Sequence, residues 1–360
     1  MKAAGLQPPG SFAPEDVTLL LQDVSGRVAE RETAEREEAI QRGRHYSEDL
    51  PIEKLPDAAY MEVFFRLLRE GSRRTALYTG VLTRRVLWAY PRPALISLVR
   101  SGVPCGVLMR RYARRELGED LPHFAISIIR GKGVDENALR HILALYPERT
   151  PVFVDGWTGK GAIARELAAA CADFSLAPVL AVLADPAGVA TLCATGEDFL
   201  NPSCCLNSTV CGLLSRTVHN AALVGRQDFH GVRVYREFAG ADQTDFYLRA
   251  VEAWFALLRP EMEEMARRPA ERGRDGWAAA ERIGREFGVG DIHRIKPGLG
   301  ETTRVLLRRI PERILLREPG HPDLAHIRLL AQSKGTPLVP YADMPYLCCG
   351  LIAARGEGES

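Results

Sequence analysis

Apolar residues in this chain come in short unbroken runs, with amphipathic stretches between them. Leu95–Val99, Phe124–Ile129, Val152–Val154 and Val179–Ala184 have the continuous hydrophobicity of strands buried on both faces. The stretches between them, Pro104–Leu117, Asp135–Tyr146 and Ala162–Ala172, read as helices, with Ile163 and Leu167 on one face of the last. Strand and helix in alternation predict a parallel sheet with right-handed crossovers. Upstream, two helices are expected in Ser11–Gly43, starting at Pro14-Glu15-Asp16, and two more at Asp57–Glu70 and Ser72–Tyr90. Residues 1–10 read as a frayed end.

Downstream, residues 195–240 are irregular, with a short helix near Val210–Val218 and a strand near Val232–Tyr235. A helical stretch, Thr244–Arg267, is broken at Pro260, and a charged turn leads to a helix at Gly276–Phe287. After Gly288-Val289-Gly290 the rhythm becomes that of a small α/β/α sandwich. Its strands are expected at Ile292–Ile295, Ile314–Arg317 and Leu338–Tyr341, and its helices at Glu301–Arg309, Pro322–Ser333 and Pro345–Ala353.

Composition narrows the function classes. The chain has 360 residues, room for two or three cored domains, and a net charge of +1, so any nucleic-acid site is a local patch. No apolar run approaches the roughly 18–20 residues of a membrane helix. The opening MKAAGLQPPGSF lacks the apolar core of a secretory signal, so a cytoplasmic protein is expected. Eight cysteines contain no C-x-x-C pair and two directly adjacent pairs, which is neither a zinc pattern nor a disulfide framework. Reduced, buried thiols are expected.

The chemistry concentrates at two strand ends. Val152-Phe153-Val154 runs into Asp155, then the loop Gly156-Trp157-Thr158-Gly159-Lys160-Gly161, then a helix. This order builds a phosphate site, because glycines admit the backbone and helix-start N–H groups face the anion. It also reads as an ordinary glycine turn or a degraded P-loop, without the Lys-Ser/Thr ending. A second strand ends in Arg100-Ser101-Gly102. Two phosphate-sized loops side by side would suit a 5′-phosphate and a pyrophosphate, the two ends of phosphoribosyl pyrophosphate (PRPP).

VFVDGWTGKGAI resembles the binding signature of type I phosphoribosyltransferases, and SLVRSGVPCG their pyrophosphate loop. Asp155 is followed by Gly156, where those enzymes carry a second acidic residue. Nearly the whole chain, including IQRGRHYSE, HFAISIIRGKGVD and LNPSCCLNSTVCGLLSRT, resembles one bacterial family associated with tellurite-resistance and stress gene clusters. That family carries two names, the StiP cysteine-protease family and a phosphoribosyltransferase family with a C-terminal Pelota-type RNA-binding domain.

The resemblance implies a parallel-sheet type I phosphoribosyltransferase-like core at 91–288. It would follow a helical extension at 1–90 and precede a Pelota-like sandwich at 289–360. The first expectation is a PRPP-dependent transferase acting on a base-like acceptor. Asp155 would meet the ribose hydroxyls with Mg²⁺ between, and Gly156, Thr158, Gly159, Lys160 and Gly161 would wrap the 5′-phosphate. Arg100, Ser101 and Gly102 would meet the pyrophosphate. Trp157, Asn207, Ser208, Ser215 and Arg216 would form the acceptor pocket. The rival expectation is a cysteine hydrolase, with Cys105 as nucleophile at a helix start, where a thiol pKa falls, and Cys211 second. A non-catalytic PRPP sensor that binds RNA is the third. KPGLGETTR resembles the Pelota recognition loop, so Lys296, Gly300, Glu301 and Arg304 are the expected RNA contacts, with structured RNA as partner. Self-association is left open.

Overall fold

A computed structural model describes residues 10–271, 273–308 and 311–352; of the end expected to fray, 1–10, residues 1–9 lie outside them. Six parallel strands form the central sheet in the order Thr18–Leu19, His123–Ile129, Pro93–Val99, Thr150–Trp157, Leu180–Ala184 and Leu192–Thr195. Every residue of His123–Ile129 and Leu180–Ala184 is buried, as their unbroken apolar runs require. Chain direction across the sheet reverses between Pro93–Val99 and Thr150–Trp157. Crevices open at such a reversal, outside the carboxyl ends of the strands, and the two ends here carry Arg100-Ser101 and Asp155. The expected mixed α/β core with a parallel sheet is present.

Two expectations upstream need correction, and one further along the chain. Thr18–Leu19, Gln22–Asp23 and Glu30–Arg31 are two-residue strands, and only Thr33–Gln41 of Ser11–Gly43 is α-helical. These strands pair with His123–Ile129, Gly231–Val232 and Leu50–Pro51, so nonlocal ladders override local helical pattern. The two helices expected between Asp57 and Tyr90 are one, Ala58–Ala89, capped by Asp57. Gly71-Ser72, read as a break, lies buried within it. Thr75, Thr79 and Thr83 each bond the carbonyl four residues back, so this buried polar stripe is satisfied internally. The later helical stretch parts at Ala253-Trp254, and Pro260 sits inside Phe255–Arg267.

The C-terminal unit is a four-stranded sheet ordered Ile295–Pro297, Cys348–Leu351, Arg313–Leu316 and Leu338–Pro340. Leu315, Cys349 and Leu351 face the helix Gly276–Glu286. Ile314, Leu316 and Cys348 join Leu299, Leu306, Ile327 and Leu330 in the same apolar cluster as the main core. Strand alternation thus sends adjacent Cys348 and Cys349 to opposite faces. The helix expected at Pro345–Ala353 is the strand Cys348–Leu351. Its continuous apolar run has no helical period, and it pairs on both edges.

Candidate functional site

At the strand reversal lies a cavity of about 1150 Å³, walled by the core, the segment around His45-Tyr46 and the C-terminal unit. Ten lysines and arginines line it, among them Arg100, Arg130, Arg216, Lys296 and Arg304, against four carboxylates, Asp155, Glu166, Asp291 and Glu301. A chain with almost no net charge therefore concentrates positive potential in one cleft.

The floor is built by a close approach. A Cβ on Gly102 would stand 2.2 Å from the Val154 carbonyl oxygen, so only glycine lets the helix Gly102–Tyr112 start against the neighbouring strand. This brings the Ser101 hydroxyl to Asp155, where it donates to Oδ1 at 2.6 Å; the Gly156 N–H donates to the same oxygen at 2.7 Å. Burial raises the proton affinity of Asp155 against these two bonds. Arg100 is paired with Glu53 at 3.4 Å and donates to Leu214 O and Asn207 Oδ1.

Cys105 lies one helical turn behind Ser101, fully buried, its thiol directed at Ser101 O (3.6 Å) and receiving Asn201 Nδ2 at 3.7 Å. The Tyr247 hydroxyl donates to Asn201 Oδ1 at 2.9 Å and so fixes that amide. Burial, then the charge of Asp155, pushes the Cys105 thiol far up. The fall in pKa expected at a helix start is outweighed by desolvation. Cys211 is also buried, and burial pushes its thiol up to about 11. Sequence reasoning passed over Asn201 as a loop residue; its distance along the chain from Cys105 hid their contact.

The glycine loop has a different setting from the one its residue types imply. Thr158 donates its hydroxyl to Asp185 Oδ1 at 2.6 Å. Lys160 donates to Ile295 O at 2.8 Å, and Gly159 O accepts from the Tyr346 hydroxyl at 3.0 Å. Gly161 opens the next helix as a left-handed N-cap. A Cβ on Gly300 would stand 2.0 Å from Trp157 Cε2, and Arg304 lies over the Trp157 ring at 4.8 Å. So Gly156–Gly161 is the surface on which the C-terminal unit docks. Glycine at 300, at the expected recognition loop, is what admits the indole. Asp198 completes the seam, accepting Leu299 N at 3.2 Å and Leu347 N at 2.9 Å; burial pushes its carboxyl up to about 6.

Of the residues expected in an acceptor pocket, Trp157 and Arg216 line the cavity. Asn207, Ser208 and Ser215 lie behind it. Asn207 accepts from Arg100, Ser208 N donates to Glu53 at 2.7 Å, and Ser215 Oγ donates to Arg216 O and accepts from Arg233 N. Lys296, Glu301 and Arg304 line the cleft opposite the core, with Gly300 against Trp157.

These features define a two-unit α/β protein whose basic cleft has a thiol beneath its floor and the loop at Lys296, Glu301 and Arg304 in its far wall. Residues 10–252 match the family described as tellurite-like stress resistance cysteine protease StiP, and residues 274–354 the PELOTA RNA binding domain. The cysteine protease StiP of Acinetobacter baylyi is 34% identical over 367 residues, spanning 97% of this chain and 95% of that protein. The chain belongs to the StiP family and carries a Pelota RNA-binding domain. This overturns the first functional expectation: the family is described as cysteine proteases, so the PRPP-dependent phosphoribosyltransferase reading is withdrawn in favour of its rival. Among the described residues no helix is long and apolar enough to cross a membrane.

Proposed function

We propose that this chain is a cysteine peptidase, with Cys105 as nucleophile and an RNA-holding wall across the same cleft. The observation that carries the reading is the place of Cys105 in the first turn of Gly102–Tyr112, directly behind the Ser101–Asp155 pair on the cleft floor. The helix start favours a developing thiolate. After burial, Asp155 is the charge that acts most strongly on the thiol, and it is the carboxylate assigned here to take the thiol proton once the Ser101 hydroxyl releases it. The Asn201 amide holds the sulfur. The thiolate attacks a peptide carbonyl, the amine leaves with a proton, and water hydrolyses the thioester. With the thiol neutral at rest, turnover requires the Ser101–Asp155 bond to open and uncover the sulfur.

The Acinetobacter relative, named a cysteine protease, supports the same chemistry. The excess of cations over carboxylates in the cleft supports RNA bound along both walls through phosphate contacts. The test is hydrolysis of fluorescent casein by the full chain. Cys105→Ala should lower it by orders of magnitude, while Cys211→Ala leaves it near wild type. Loss on Cys211→Ala with Cys105→Ala active moves the nucleophile, and casein hydrolysis insensitive to thiol alkylation sinks the reading.

A further inference from the structure

Away from the cleft, where the C-terminal unit meets the core, two cysteines and a histidine converge. Cys204 and Cys205 belong to the short turn Pro202–Cys205 of the core, and His326 to the helix Ala325–Ser333. One ligand atom from each of the three lies within 4.8 Å of the others, and all three residues are buried. Substrate does not reach so closed a place, which separates it from the peptidase reading.

The hydrogen bonding of His326 fixes its tautomer. The Thr303 hydroxyl donates its single proton to Leu299 O at 2.6 Å, so at 2.7 Å from His326 it accepts, and Nε2 carries the ring proton. Nδ1 is left with its lone pair. It is buried, on a residue with no exposed surface, and forms no well-aligned hydrogen bond, with the Asp323 main chain beside the ring. An unpaired buried acceptor costs stability unless something fills it. A histidine whose second nitrogen donates to a fixed oxygen is the arrangement that orients a metal ligand.

We propose that Cys204, Cys205 and His326 bind a thiophilic divalent cation of the zinc class, which staples the Pelota unit to the core. Two sulfurs and an imidazole are ligands that such an ion prefers. On binding, each thiol loses a proton; the two thiolates balance the 2+ charge, which a buried seam requires. Around tetrahedral Zn²⁺ these atoms stand roughly 3.5–3.8 Å apart, so shifts of about 1 Å close the set. The three residues supply three of the four tetrahedral positions. Asp323, a carboxylate whose charge acts on both Cys205 and His326, is held by Arg74 and Leu200 N.

The full chain, stripped with chelator under reducing conditions, is titrated with Co²⁺ and then Zn²⁺. One equivalent of Co²⁺ per chain should give a thiolate-to-cobalt charge-transfer band that Zn²⁺ abolishes, and Zn²⁺ should raise the unfolding midpoint. Cys204→Ser, Cys205→Ser and His326→Gln should each weaken binding at least about 10-fold, and Cys171→Ser should leave the band in place. No band in the folded wild-type chain, or a band that persists in the Cys204→Ser/Cys205→Ser double variant, overturns the site.

Discussion

The Lys160 ammonium donates to the main-chain carbonyl of Ile295, 2.8 Å away on the other unit. Burial, then the charge of Lys296, holds its pKa down to about 8, against an ordinary 10.5. Keeping the charge there costs stability below about 8. Between that value and 10.5 the unfolded chain binds the extra proton, so stability from this group rises with pH. Urea unfolding of wild type and Lys160→Met across this window should show the difference moving in favour of wild type by up to about 3 kcal/mol. A flat difference would mean that the ammonium is not buried in the seam.

The Trp157 indole occupies the space that a side chain at Gly300 would need. In Gly300→Ala the new methyl would meet the indole at 2.0 Å, so the ring or the unit must shift, at a cost of about 1–3 kcal/mol. In a Trp157→Ala background the same change should be nearly silent. A double-mutant cycle by chemical unfolding checks this, and additive effects would place the cost elsewhere.

Acid should loosen the central sheet through His123. Its Nδ1 contacts Asp16 O at 2.8 Å and Nε2 contacts Ser97 Oγ at 2.7 Å, and burial holds its pKa down to about 4 from 6.5. The stability it contributes is complete above 6.5 and is lost as pH falls towards 4. The loss should reach about 3 kcal/mol and should be absent from His123→Asn, as followed by guanidinium unfolding between these pH values.

The strand–loop–helix at Thr150–Ala172 was legible because a buried parallel strand needs an unbroken apolar run, and Val152-Phe153-Val154 is one. Cys105 at a helix start was legible for the same local reason. What Gly156–Gly161 touches was not. Glycine and lysine types fit a phosphate and a neighbouring domain equally well, and the partners Ile295, Gly300 and Tyr346 lie far along the chain. The two-residue strands near the N-terminus were hidden likewise, since their ladders form with distant segments. Cys204, Cys205 and His326 show no metal spacing, because the fold, and not the sequence interval, brings them together.

RNA should respond to both walls of the cleft. Arg130→Glu on the core and Lys296→Glu on the Pelota unit should each weaken binding of a structured RNA and reduce the slope of log affinity against log salt by about 1. Filter binding at several salt concentrations reads both. A silent Arg130→Glu would confine the RNA to the Pelota face.

Asp198 gives the C-terminal unit something it does not encode. The helix Leu299–Arg308 begins with an N–H whose acceptor is a carboxylate of the core, and the strand end at Leu347 leans on the same side chain. Cut free, residues 274–354 would expose that helix end to water along with the face that Trp157 covers. Transplanting this domain into another protein would therefore carry the Lys296–Arg304 loop without the frame that sets it, so the whole chain is the molecule on which RNA binding is to be measured.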